Sequence, residues 1–243
     1  KRSRLHRRAI LCVCKNRMSR TSILIIAKNE AGGIRKIIRS VKRYSQEVIV
    51  IDGRSTDDTD SLAKKEGVKV MRDYGRGRGD GVRMGLAKAT GDIVVFVDAD
   101  GSHNPKDIPR LVAPIVQNSA DLVIASRRTG GTLDTNPGFA GVIRSLGADF
   151  MAYLVNLRFG TQFTDILYSF RAIRRSNMRK LHLTSNDFAI EQEMVVSAIR
   201  AGIRVQEIPS RERARAWGVP KLATKTGIRL LVTLVWQLWG PVI

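Results

Sequence analysis

The chain has 243 residues, 43% of them apolar and 26% charged, which suffices for a full hydrophobic core near the upper size of one domain. Forty-two basic residues against twenty-two acidic ones give a net charge of +20, which narrows the partners to nucleic acid, a phosphorylated substrate or an anionic membrane surface. The two cysteines, Cys12 and Cys14, lie one residue apart, so they neither staple a core nor complete a zinc site, and a reduced, cytosolic setting is expected.

Residues 1–20 hold eight Lys or Arg and no acid; the remainder keeps 34 basic and 22 acidic residues, an excess of +12 within the fold. Met18 ahead of a strand marks residues 1–17 as a basic, disordered extension, 18–222 as the folded domain and 223–243 as a separate amphipathic segment. The apolar stretch Ala9 to Cys14 is too short for a signal-peptide core. The run from Leu230 to Ile243, broken by Gln237, Gly240 and Pro241, falls short of the roughly 20 residues of a membrane span.

Ser22 to Ala27 reads as a buried strand ending in Lys28-Asn29-Glu30, and Ile34, Ile37, Ile38 and Val41 then recur at helical spacing. Glu47 to Ile51 is a second strand closing on Asp52-Gly53-Arg54-Ser55-Thr56-Asp57-Asp58. There Ser55 or Thr56 is expected to cap a helix running to Lys65. Val68 to Met71 is a short third strand. After it, Gly75-Arg76-Gly77-Arg78-Gly79-Asp80-Gly81 permits close backbone approach, and a helix from Val82 to Ala89 offers a phosphate its positive end, with Arg83 in its first turn.

The centre of the chain is the run Ile93 to Val97, bounded by Gly91-Asp92 and by Gly101 and Pro105, which reads as a buried parallel strand with Asp98-Ala99-Asp100 at its carboxyl end. Open α/β sheets keep their ligands at that edge. Two carboxylates two residues apart repel, and a hard cation with phosphate ligands would offset that repulsion; solvated acids ahead of the next helix are the plainer alternative.

A helix from about Pro105 to Gln117 follows, then a fifth strand, Asp121 to Ser126, ending in Arg127-Arg128. Thr129 to Gly138 is a candidate mobile loop, and Phe139 to Phe159 a helix carrying Arg144. Thr164 to Arg171 leads into a strand, Asn186-Asp187 caps a helix holding Glu191 and Glu193, and Arg204 to Pro209 is a late strand before a basic loop, Arg211 to Lys221. The last helix, about Leu222 to Trp239, is too apolar to stay in water. It either packs on the domain or lies in a membrane interface, with Trp236 and Trp239 at headgroup depth and Lys221, Lys225 and Arg229 near lipid phosphates.

In order and spacing, Ala27-Lys28-Asn29-Glu30, Asp52-Gly53-Arg54-Ser55-Thr56-Asp57, and Asp98-Ala99-Asp100 with Ser102-His103 and Pro105 resemble the family 2 glycosyltransferases of GT-A fold. Ser126-Arg127, Asp165 with Ser169-Phe170-Arg171, Glu191-Gln192-Glu193-Met194, and Arg215 with Gly218 and Lys221-Leu222 are similar to the dolichol-phosphate mannosyltransferase branch, so that the resemblance covers about residues 20–222.

That resemblance implies an α/β, GT-A nucleotide-sugar-binding domain with a mostly parallel sheet flanked by helices. In it Glu30 and Asp52 would hold base and ribose, and Asp98 would lie near ribose and metal. Asp100 would be the principal ligand of Mg2+ or Mn2+ on the diphosphate, assisted by Asp98 and Ser102; Arg127, Arg144 and Lys221 would meet the phosphates of donor and acceptor. Ala27, Asn29, Ser55, Arg83, Ala99 and Arg215 complete the expected donor site. Departures fall on the acceptor side: Arg128 stands where Tyr is usual, Ser169 where Gly is, and Pro220 where Ser is.

The expected activity is metal-dependent, inverting transfer of a hexose, first mannose from GDP-mannose, to dolichyl or other polyprenyl phosphate on the cytoplasmic face of a membrane. Alternatives are a UDP-glucose or UDP-N-acetylhexosamine donor, or a sugar hydroxyl as acceptor. A phosphate acceptor is mostly dianionic at neutral pH and needs no strong base, whereas a hydroxyl would need one, for which Asp165, Glu191 and Glu193 are candidates, with pairing to a nearby Arg or Lys an equal alternative for Glu191 and Glu193. Nucleic acid is the weaker partner, because no aromatics interleave with the basic residues and acids stand at both central strand ends.

Overall fold

The computed structural model describes residues 19–132, 139–217 and 224–240; the basic extension, Lys221 and residues 133–138 of the expected mobile loop lie outside them. Seven strands form one sheet: β1 (Thr21–Ala27), β2 (Glu47–Asp52), β3 (Lys69–Arg72), β4 (Ile93–Asp98), β5 (Leu122–Ser126), β6 (Arg171–Arg174) and β7 (Val205–Pro209). Their order across the sheet is β3-β2-β1-β4-β6-β5-β7.

β1 pairs in parallel with both β2 and β4, in a register that sets Ala27 beside Asp52 and Ile26 beside Asp98. The carboxyl ends of the three strands are thereby level, so residues far apart in sequence share one edge. β6 runs against both neighbours, with Arg171 paired to Phe96 and to Ile124. Its reversed direction places its entry loop, residues 164–170, at the same edge as Asp98 and Ser126.

The helices are α1 (Ile34–Lys42), α2 (Thr59–Lys65), α3 (Arg78–Lys88), α4 (Ile108–Val116), the single turn α5 (Arg127–Gly130), α6 (Phe139–Phe159), α7 (Ala189–Arg200) and α8 (Thr224–Trp239). One face of the sheet is closed by α1, α2 and α4, where Ile34, Ile38 and Leu111 pack with Ile25, Val50 and Val95. On the other face, Leu86 of α3, Val155 of α6, Met194 of α7 and Leu234 of α8 join Leu24, Ile49 and Phe96. The period-two alternation of each strand divides its apolar residues between two cores.

Two helix starts differ from the sequence expectation. α2 begins at Thr59, and neither Ser55 nor Thr56 caps it; Asp57 accepts from the Thr59 N–H and hydroxyl, because Ser55 and Thr56 are drawn to Asn29 of the neighbouring loop. α3 begins at Arg78, four residues earlier than expected. Gly79 N–H donates to Asn186 O, and the Gly79 backbone packs so closely on Ser185 that a side chain there would clash, which draws the glycine segment into the first turn. In α8, Leu230, Leu234 and Leu238 are buried against the domain while Trp236 and Trp239 are exposed, so the helix packs and also presents an apolar face.

Candidate active site

The β1 loop holds its own geometry through polar contacts with the β2 loop. Ala27 O accepts from Gly53 N–H at 2.7 Å, Asn29 in left-handed backbone donates its N–H to Ser55 Oγ at 2.8 Å, and its Oδ1 accepts from Thr56 N–H. Glu30 is buried, and its N–H reaches Thr59 Oγ1 at 2.8 Å. Asp52, fully buried at the end of β2, accepts from Ser55 N–H at 3.1 Å and lies 3.6 Å from Arg72. Ala27, Asn29, Glu30, Asp52 and Ser55 thus form one continuous shelf.

Asp98 and Asp100 sit beside that shelf in different environments. Asp98 meets Arg78 at 2.7 Å and accepts from Ser169 Oγ at 2.6 Å. Burial would raise its carboxyl, but the charge of Arg78 and the hydrogen bonds from Ser169 and Arg78 outweigh burial and hold it far below the usual carboxylate range. His103 accepts the Asp98 N–H at Nδ1, leaving its Nε2 proton for Ser169 Oγ at 3.2 Å; burial lowers its pKa, so it sits neutral against the Phe170 ring. Asp100 accepts at Oδ1 from the Ser102 N–H (3.0 Å) and Oγ (2.8 Å), while its Oδ2 faces Arg215 at 3.0 Å.

A second cluster occupies the β5–β6 side of the edge. Arg127 grips Asp165 at 2.7 Å, extends toward Glu212 at 3.7 Å, and lies over the Tyr168 ring. Asp165 also accepts the N–H groups of Leu167 and Tyr168, and Glu207 of β7 supports the preceding turn through Thr164 and Asp165. Beneath that loop lies Arg171, fully buried, its guanidinium donating to the carbonyls of Ile166, Tyr168 and Glu191. Burial lowers its pKa to about 10, which leaves it charged at neutral pH. Arg171 therefore fixes the loop that carries Asp165 and Ser169.

The glycine segment contributes a different arginine from the one its helical spacing suggested. Arg78 bridges Asp98 and Glu191, the latter at 2.5 Å, and lies over Phe188. Arg83, placed in the sixth position of α3 by the earlier helix start, donates instead to Ser185 O and Asn186 Oδ1, away from the two aspartates. The alternating Gly-Arg pattern marked the segment, but the choice between its arginines depends on where the helix begins. His103, Ser169 and Trp217 are further members of the edge. Trp217 Nε1 donates to Ala99 O at 2.7 Å. Arg144 is half-buried on α6, and among the described residues no hydrogen bond or ion pair ties it to Asp100; Lys221 is outside those residues.

All three candidate bases have fixed partners, Glu191 through only one of its oxygens. Asp165 is held by the Arg127 side chain and three backbone N–H groups, Glu193 accepts from Thr184 and Ser185, and Glu191 is paired with Arg78. Burial raises the pKa of Glu191, offset by Arg78 and Arg171, and its Oε2 has no hydrogen-bond partner. Among the described residues, Arg215 likewise keeps a buried Nε–H without an acceptor. No group of three His, Cys, Asp or Glu side chains suited to a metal occurs among the described residues.

The chain is 28% identical over 232 residues to an uncharacterized protein of Methanocaldococcus jannaschii, covering 91% of this chain and 94% of that one. It is 31% identical over 190 residues to glycosyltransferase AglJ of Haloferax volcanii (77% of this chain, 61% of AglJ). An uncharacterized glycosyltransferase of Mycobacterium tuberculosis is 30% identical over 202 residues, with 83% and 89% covered. Among solved structures, the fold is similar to glucosyl-3-phosphoglycerate synthase from M. tuberculosis in complex with Mn2+, UDP-glucose and phosphoglyceric acid: TM-score 0.76 at 23% identity, covering 96% of this chain and 84% of that one. With the Asp98-Ala99-Asp100 edge at the end of β4 and the family model "Glycosyl transferase family 2" matching residues 22–181, the chain belongs to the family 2 glycosyltransferases, on an α/β fold of GT-A type.

Proposed function

We propose that this chain catalyses inverting, metal-dependent transfer of a hexose from a nucleotide sugar to a phosphate-bearing lipid acceptor at a membrane surface. The observation that carries the acceptor is that Asp165 and Glu193 are engaged through both carboxylate oxygens and Glu191 is locked against Arg78. A hydroxyl acceptor needs a free base, whereas a phosphate monoester is already mostly dianionic at neutral pH. A UDP-linked hexose is the first donor to test, because similar folds hold UDP-glucose. GDP-mannose, implied by the motifs, is the second.

The donor set fits a hard divalent cation. Asp98 and Asp100 would hold it through carboxylate oxygens and Ser102 through its hydroxyl, and so small a protein ligand set would leave room for a phosphorylated donor, as Mg2+ and Mn2+ accept. When bound, the metal stabilises the charge developing on the leaving nucleoside diphosphate. The shelf of Asn29, Glu30, Asp52 and Ser55 binds base and ribose, with the backbone of Ala27 and Ala99 setting its floor. Arg215, with its unpaired Nε–H, meets the diphosphate, and Arg127 orients the acceptor phosphate, assisted by Arg144 and Lys221. Arg78 and Ser169 hold Asp98 ionised.

Among the described residues, twelve large apolar side chains are exposed, and eleven of them lie on α6 and α8. They include Leu157, Trp236 and Trp239, an arrangement suited to seating on the cytoplasmic face of an anionic bilayer where a polyprenyl phosphate would be presented. No described helix is long and apolar enough to cross a membrane. The test is transfer of labelled sugar from UDP-glucose, UDP-N-acetylglucosamine and GDP-mannose into organic-extractable polyprenyl phosphate, with Mg2+, Mn2+ or chelator. Chelator-sensitive lipid label from one donor is expected. Metal-dependent donor consumption with no lipid label would overturn the lipid acceptor.

A further inference from the structure

The loop that leaves β7 turns back across the carboxyl end of β4, and five of its residues, 213–217, form a strap over the Asp98–Asn104 turn. Arg213 N–H donates to Ser102 O at 2.8 Å and its Nη2 to Asn104 Oδ1 at 2.7 Å. Ala216 N–H donates to Asp100 O at 3.0 Å, and Arg215 Nη1 lies 3.0 Å from Asp100 Oδ2. The strap ends in Trp217, whose Nε1 donates to Ala99 O at 2.7 Å.

Two glycines make the seat for that indole. A side chain at Gly33 would overlap the Trp217 ring outright, and one at Gly101, where φ is +82°, would come within 3.0 Å of it. Lys36 Nζ lies 5.8 Å from the ring on the outer side. The strap is therefore docked on both edges, by backbone hydrogen bonds to the turn and by the indole wedged between the start of α1 and Gly101.

Its central residue carries the feature that matters. Arg215 is partly buried, its positive charge rests on one oxygen of Asp100, and its Nε–H has no acceptor among the described residues. A divalent cation on Asp100 would meet this guanidinium at the same carboxylate, and two cations on one oxygen repel. An arriving diphosphate changes that balance, since it supplies anionic oxygens for both the cation and the unpaired Nε–H.

We infer that Arg215 is a tethered counter-ion that screens Asp100 from metal until metal and nucleotide diphosphate arrive together, and that Trp217 is the latch holding the strap in this screening position. The inference rests on the metal site assigned above to Asp100. It predicts that Mn2+ alone binds weakly to the full chain, that the Arg215→Gln variant binds Mn2+ alone about tenfold more tightly, and that UDP lowers the Mn2+ dissociation constant far more in the native chain than in the variant.

Mn2+ binding is read by electron paramagnetic resonance, which needs no knowledge of the donor sugar or acceptor. The sequence has three tryptophans, so a Trp236→Phe/Trp239→Phe background leaves Trp217 as the sole reporter. In that background, Mg2+ with UDP is expected to shift Trp217 emission to longer wavelength and Mg2+ alone to leave it unchanged. Equal Mn2+ affinity in the native chain and in a normally folded Arg215→Gln variant would overturn the screening role, as would a Trp217 shift with Mg2+ alone. If Asp100→Asn binds Mn2+ in the presence of UDP as tightly as the native chain does, the metal assignment itself falls and the inference with it. Failure of every donor in the transfer assay, with the Mn2+ results as expected, would overturn only the proposed substrates.

Discussion

The helices on the two faces of the sheet are built from similar residues to different ends. On one face α1 places Ile34, Ile37, Ile38 and Val41 in the core and turns its charged residues outward, where Arg35 and Arg39 share Glu66. On the other face α6 and α8 pack on the sheet through Val155, Leu230 and Leu234 and still leave Leu146, Phe150, Val232 and Trp236 about half or more exposed. Folding satisfies the first face. It leaves the second with apolar area that calls for a further surface, which shows that an apolar helix can be structural on one side and available on the other.

That contrast can be broken in several ways. The largest effect belongs to the edge between the two faces: Asp100→Ala should lower transfer by about 10³-fold with the circular dichroism spectrum unchanged. Normal turnover by a folded variant would take Asp100 out of the metal site. On the closed face, Ile38→Ala should cost about 2–5 kcal/mol in urea unfolding, since Ile38 is fully buried; on the open face Val232→Ala should stay within about 0.5 kcal/mol. Equal losses at the two positions would mean that the outer side of α8 is packed.

A smaller effect tests what the open face meets. Leu157→Glu combined with Trp236→Glu should weaken cosedimentation with anionic vesicles about tenfold while nucleotide binding is kept. Undiminished vesicle binding would leave the exposed rows to a protein partner.

The smallest concerns the sheet alone. Asp121 joins Arg174 of β6 to Arg204 ahead of β7, at 2.9 and 2.8 Å, and the hydrogen bond from Arg204, against burial and with help from Arg174, lowers its pKa. Because the folded value is the lower one, this stabilisation is present above the ordinary carboxylate pKa of about 4 and lost as pH falls through the folded value. Asp121→Asn should therefore flatten the acid limb of urea midpoints measured against pH. An unaltered limb would assign acid sensitivity to other carboxylates.

Much of the proposed donor side was legible as strand ends and loops because those signals are local. Ile93 to Val97 followed by Asp98-Ala99-Asp100 marks a buried strand and its acidic carboxyl end, and Asn29 and Ser55 stand within a few residues of the strands that position them. The counter-ions were harder to read. Arg78 and Arg83 occupy the same glycine-rich segment, and one reaches Asp98 while the other turns to Asn186 because α3 starts four residues early. For the candidate bases the sequence allows pairing of Glu191 and Glu193 with a nearby Arg or Lys but does not name the partner; Asp165 meets Arg127 and Glu191 meets Arg78, at separations of 38 and 113 residues. Capping by Ser55 or Thr56 was a sound local expectation that a contact across the β1 and β2 loops displaced.

Hydrophobic period and chain-local chemistry by themselves determined the α/β class, the strand ends where the acids stand, and the family motifs, because a strand or helix reports its buried face within one or two turns. Tertiary structure alone decided that β6 runs antiparallel and so delivers Ser169 to Asp98, that Arg78 and Arg215 are the cations on the two aspartates, and that Trp217 closes over Ala99. Those choices depend on pairings across 20 to more than 100 residues, settled by which charges and carbonyls the packed sheet brings within reach.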